Sequence, residues 1–150
     1  MGFLNTFSAT WFAPMVAGFR RGLRSVGYVE GLNLAVEFRW AENQLDRLPA
    51  LAADLVGKRV SVIAATGNEQ TVRAVKAATA DIPIVFTSGS DPVRLGVVAS
   101  FSRPDGNATG VNMMIREIGG KRLGLLHELV PAATGLQSSL IRGMLFQMSC

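Results

Sequence analysis

The chain reads as α/β: a three-layer, doubly wound parallel sheet with strand order 2-1-3-4-5. Three observations lead there. Residues 60–65 and 82–86 are short apolar runs rich in β-branched residues, as strands buried on both faces of a parallel sheet require. Around them, apolar residues recur three and four apart, the period of helices that bury one face. Each run gives way to a small polar loop and a capping residue, so strands and helices alternate with the connection lengths of right-handed crossovers.

Residues 2–4 begin the first strand, residues 5–9 form a polar loop, and Thr10 is the expected N-cap of a first helix. Phe12, Met15, Val16, Phe19, Leu23 and Val26 make its inward face, opposite Arg20, Arg21 and Arg24. Pro14 falls in the tolerant first turn, Gly27 follows the C-cap, and Tyr28 folds back onto the last turn. Leu34, Val36, Phe38 and Trp40 alternate with Ala35, Glu37, Arg39 and Ala41, the pattern of a strand at or near a sheet edge.

Asp46 and Pro49 open a second helix with Leu48, Leu51, Leu55 and Val56 facing inward. Lys58 and Arg59 lie at its carboxyl end, where cations suit the dipole. Asn68 caps a third helix running through Val72, Val75 and Ala78. After the strand at residues 82–86, Asp91-Pro92 predicts a further helix with Leu95, Val98 and Ala99 toward the sheet, stopped by a type I turn at residues 103–106. Residues 109–113 return as a fifth strand. Glu117 or Gly119 then opens a helix through Leu123, Leu126, Leu129 and Val130, which Pro131 ends.

With 150 residues, 49% of them hydrophobic, the chain can bury a core of ordinary size. The net charge of +4 is spread along the chain without a basic block, which argues against a nucleic-acid surface. Cys150 and His127 are single, so neither an internal disulfide nor a clustered Cys/His metal site is expected, and no cofactor is implied. No apolar run approaches the roughly 18 residues that span a bilayer. Arg20 and Arg21 follow the first apolar residues instead of preceding them, the reverse of a secretory signal.

Several chemistries lack their residues. Gly119-Gly120-Lys121-Arg122 has neither the hydroxyl nor the distal glycine of a phosphate loop, and no strand is followed by Gly-x-Gly-x-x-Gly. A Ser-His-Asp triad would have to use His127, on the flank of an amphipathic helix far along the chain from the polar loops. Glu42 and Asp46 read as helix-start charges, and Asp91 as an N-cap. Strand order 2-1-3-4-5 sets the loops after strands one, three and four on one rim, where such sheets bind ligands. Loops of this kind offer helix-start amides to an anion.

The strings GFLN, GYVEGLNLAVEFRWAE, DRLPALAADLV, VIAATG, IPIVFTSGSDPVRLGVVASFSRPDGNATGVN and KRLGLLHELVP, in this order, resemble the ABC-transporter substrate-binding proteins of the tryptophan/tyrosine-binding type. The resemblance runs from Gly2 to about Thr134. It implies a periplasmic-binding-protein fold of type I, two α/β lobes that close on a small molecule and deliver it to a membrane permease, without catalysis. The expected ligand-facing residues are Asn5, Thr6 and Ser8 in the first loop, Thr66, Gly67 and Asn68 in the second, and Ser88, Gly89, Ser90 and Asp91 in the third. The expected partners are a small solute, an amino acid or similar anion, and a permease. A flavodoxin-like nucleotide- or flavin-binding domain and a non-functional fragment are the alternatives.

On this reading residues 1–134 are the N-terminal lobe and residues 135–150 a divergent tail from a truncated or frame-shifted gene. Leu136, Leu140, Ile141, Met144, Leu145 and Met148 still fall at helical spacing there. Relatives of this kind are periplasmic. The chain as written carries no export signal and is expected to stay in the cytoplasm.

Overall fold

The computed structural model describes residues 1–100, 106–113 and 119–130. Residues 1–114 form one compact unit and residues 115–150 a second. The first unit is built on a five-stranded, all-parallel sheet of β1 (Gly2–Asn5), β2 (Glu37–Trp40), β3 (Ile63–Thr66), β4 (Ile84–Ser88) and β5 (Ala108–Asn112), in the order β2-β1-β3-β4-β5. Its helices are α1 (Ala9–Ser25), α2 (Leu48–Gly57), entered through a 3-10 turn at Leu45–Arg47, and α3 (Glu69–Ala78). In the second unit α4 spans Gly119–Leu129, with His127 in its last turn. Fold class and strand order are those read from the sequence.

Because side chains alternate across a strand, the pairings assign each residue to a face. Leu4, Ile63, Ala65, Ile84, Phe86 and Ala108 point one way and make the main core with Leu48, Ala52 and Leu55 of α2 and Val72 and Val75 of α3. Phe3, Phe38, Trp40 and Ala64 point the other way and pack with Phe12, Val16 and Phe19 of α1. On this second face the Phe3 ring sits 5.1 Å from Phe19 and 5.2 Å from Phe38. Arg39 of β2 reaches Asp54 of α2 at 2.6 Å, a half-exposed pair that orients more than it stabilises.

The caps explain where the helices begin and end. Ser8, not Thr10, caps α1: its hydroxyl accepts from the Trp11 amide at 3.2 Å. Thr10 was the expected cap because either hydroxyl suits the position, but Ser8 already holds the extended backbone that a cap needs. Gly27, at φ 89°, closes the helix as expected, with Tyr28 N–H donating to Leu23 C=O at 2.9 Å and Gly27 N–H to Arg24 C=O at 3.0 Å. The inward face of α1 is narrower than its periodicity suggests. Val16 is buried and Phe12 and Phe19 half-buried, whereas Met15 and Val26 stay 59% and 69% exposed.

The helix expected after Asp91-Pro92 is a single turn. Asp91 does accept from the amides of Val93 at 2.8 Å and Arg94 at 3.3 Å. Gly96 then takes φ 66°, and the amides of Gly96 and Val97 donate back to Val93 and Pro92, the pair of bonds that ends a helix. A cap followed five residues later by a terminator leaves no room for more. Val97 and Val98 are nonetheless buried in the main core, so this short connection covers the sheet as the helix would have. Residues 103–105 of the expected type I turn, Pro131, and the amphipathic spacing of residues 136–148 lie outside the described residues.

Two substitutions test these contacts. A Cβ on Gly110 would stand 2.3 Å from the Phe86 carbonyl oxygen and 2.6 Å from its ring, which lies across this edge-strand glycine. Gly110→Ala should lower stability in urea by about 1–3 kcal/mol, because backbone and a packed ring must both move. Asn68 Oδ1 accepts from both the amide and the hydroxyl of Thr71, at 3.1 and 3.2 Å. Asn68→Ala should therefore cost about 1–2 kcal/mol in the same measurement, at the upper end for a cap.

Candidate functional site

In a parallel sheet every strand ends on the same edge, and the loops after β1, β3 and β4 leave from it side by side. Asn5 pairs with Thr66 in the β1–β3 register, and Ser88 closes β4 next to them. The ten residues expected at the site thus lie along one rim. Asn5, Thr6 and Ser88 are buried there; Ser8, Thr66, Asn68, Gly89, Ser90 and Asp91 are half-buried; Gly67 is exposed.

Most of the polar side chains on this rim are committed to one another. Asn5 Nδ2 donates to Thr66 Oγ1 at 2.8 Å, while Asn5 Oδ1 accepts from the Phe7 amide at 2.7 Å. Thr6 and Thr71 share a buried hydroxyl–hydroxyl bond of 2.7 Å. Gly67, at φ 105°, lets the second loop lie against the first: a Cβ there would meet the Thr6 amide nitrogen at 3.1 Å and Asn5 Oδ1 at 3.3 Å. In the third loop Ser88 Oγ donates to Ser90 C=O at 2.6 Å and accepts from its amide at 3.2 Å, and Asp91 caps the turn that follows.

The sheet also separates these residues by face. Asn5 and Thr66 share the face of Phe3 and Ala64, whereas Ser88 belongs to the face of Ile84 and Phe86. The β4 residue on the Asn5/Thr66 face is Thr87, half-buried, which the expected set omits. Strand alternation could have found it, since Thr87 is odd-numbered with Val85. The helix-start amides expected at the rim fall at Ala9 and Thr10 of α1 and at Glu69 and Gln70 of α3, none of them in the expected residue set. They have no acceptor within their helices, and both helices start at the rim with a partial positive charge.

Phe7 and Trp11 complete the rim beside the first loop. Phe7 is buried, its ring 4.8 Å from the indole of Trp11, which is 56% exposed. Among the described residues no group of three His, Cys, Asp or Glu side chains could hold a metal ion, and no helix is long and apolar enough to cross a membrane. The chemistry on offer is hydrogen-bond donation from backbone and hydroxyl groups beside an aromatic surface.

Residues 10–137 match the family described as ABC transporter substrate binding protein. A tyrosine-binding protein of Clostridioides difficile is 33% identical over 116 residues, 77% of this chain and 33% of that protein. A ligand-free, open substrate-binding protein with adhesive properties from Clostridium difficile superposes with a TM-score of 0.69 at 26% identity, covering 83% of this chain and 42% of its own. A conserved domain protein of Vibrio cholerae gives a TM-score of 0.73 at 27% identity, covering 87% and 43%. An ABC domain in complex with L-Trp from Streptococcus pneumonia shares the fold, with a TM-score of 0.65 at 23% identity over 74% and 37%. The chain spans less than half the length of each of these relatives, and by its match over residues 10–137 it belongs to the ABC transporter substrate-binding protein family.

Proposed function

We propose that this chain is the amino-acid-capturing lobe of an ABC importer's binding component, and that the rim of β1, β3 and β4 is where the solute is held. The observation that carries the reading is the convergence of two helix N-termini, α1 and α3, with the Ser88–Asp91 loop on one sheet edge. Amides of this kind suit the carboxylate of an amino acid, whose charge the two dipoles favour. The half-buried Ser8, Thr66, Thr87 and Ser90 add hydroxyls nearby. Asn5, Thr6, Gly67, Asn68, Ser88 and Asp91 hold the loops in shape.

The relatives' ligands suggest the class. One is named for tyrosine and another was solved with L-Trp, so an aromatic amino acid is the solute we assign. Ligand capture is binding without bond making. Delivery to a membrane permease, and a periplasmic site of action, belong to the same reading. In the longer relatives a second lobe would cover the other side of the ligand, so this chain alone supplies part of the contacts and binds weakly.

Isothermal titration with L-tyrosine and L-tryptophan tests the assignment, using proline to delete one amide at a time. Proline is accommodated at the first position of a helix, and Ser8 and Asn68 already hold the extended backbone it demands of its predecessor. Ala9→Pro and Glu69→Pro should therefore keep the melting temperature. Each should weaken binding by about tenfold or more, the worth of a hydrogen bond to a charged group. Glu69→Ala is the charge control and should bind at least as well as the unsubstituted chain. Equal affinity of Glu69→Pro and Glu69→Ala would remove the α3 amide from the site.

A further inference from the structure

We infer that Trp11 is the surface that reads the ligand's side chain: an exposed indole on which the ring of an aromatic amino acid stacks while its carboxylate sits at the neighbouring amides. The inference rests on the proposed use of the rim for an amino acid, and goes beyond it by assigning the selecting residue.

The aromatic residues of this half of the molecule form one chain of contacts. Phe38 stacks on Trp40 at 6.0 Å, Trp40 meets Phe12 at 6.3 Å, Phe12 meets Trp11 at 6.5 Å, and Trp11 meets Phe7 at 4.8 Å. Phe7 is buried, and Phe12, Phe38 and Trp40 are half-buried. Trp11 alone among them is 56% exposed. An indole is costly to leave in water, and a stacked partner recovers that surface with a specific geometry.

Its position fits the task. Trp11 lies in the first turn of α1, and its own amide is held by Ser8, the cap of that helix. Side chains on a helix lean toward its N-terminus, which for α1 is the rim; the 4.8 Å contact with Phe7, in the loop before the helix, shows the lean directly. The amides of Ala9 and Thr10 are the two that precede it. A carboxylate at those amides therefore leaves an amino-acid side chain within reach of the indole. Phe7 and Phe12, 6.0 Å apart and in contact with each other, both pack against the indole. Tyr28, also exposed at 51%, lies beyond the opposite end of α1 and cannot serve.

Titration of L-tryptophan, L-tyrosine, L-leucine and L-alanine into the chain and into Trp11→Ala and Trp11→Phe decides the matter. Trp11→Ala should weaken the two aromatic ligands by about five- to tenfold, the range of an aromatic pair, and leave L-alanine affinity unchanged. Trp11→Phe should restore most of the aromatic preference. Equal weakening of all four ligands, or no change for any, overturns the stacking role while leaving the rim in place. Failure of the unsubstituted chain to bind any of the four overturns the reading of the rim, and the stacking role with it. Because Trp11 is largely solvent-facing, both variants should melt close to the unsubstituted chain, which separates a loss of selectivity from a loss of fold.

Discussion

A buried hydroxyl has to find partners, and that of Thr71, with no exposed surface, finds two: Thr6 in the first loop and Asn68 at the cap of its own helix. This small network fixes the first two loops against each other. Asn5 does the same one layer away by bonding Thr66 across the β1–β3 pair. Breaking either link would strand a polar group in the protein, which is more expensive than the bond itself is favourable. The order of the rim follows from that asymmetry.

Seen this way, the division of labour on the rim is between side chains that shape it and a backbone that faces outward. Asn5, Thr6, Ser88 and Asp91 spend their hydrogen bonds inside the loops. What is left facing outward is mainly amide N–H at two helix starts, with a few half-buried hydroxyls. Backbone donors carry a partial positive charge but no side-chain identity. On the proposed reading they would select for an anionic group without saying which molecule bears it, and discrimination among amino acids would have to come from elsewhere, for which an exposed indole is suited.

Much of the fold was legible because burial on two faces leaves so plain a mark on a parallel strand. A strand near residues 82–86 was legible from five letters, although β4 runs two residues later and takes in Thr87 and Ser88, and the alternation through Phe38 and Trp40 identified an edge strand. The gathering of three loops on one edge followed from strand order alone. The errors have a common physical source: local preference was read without its terminator or its tertiary neighbours. Asp91-Pro92 starts a helix wherever it stands, but Gly96 was the residue that decided its length. Met15 and Val26 have helical spacing, yet α1 crosses the sheet on a narrow strip and leaves them in water. The inward commitment of Asn5 and Thr6 was hidden because their partners Thr66 and Thr71 lie more than sixty positions away.

One more feature of α3 has reach beyond its packing. Its N-cap Asn68 belongs to the second loop, Thr71 in its first turn holds the first, and exposed Arg73 and half-buried Lys76 donate to the carbonyls of Leu95 and Val97, at the end of the short turn after the third. A single helix thus ties the first two loops to each other and to the turn that follows the third. The entropy of ordering those loops is lost when the chain folds, so on the proposed reading the lobe would meet a solute already in shape and a larger share of each contact would appear as affinity.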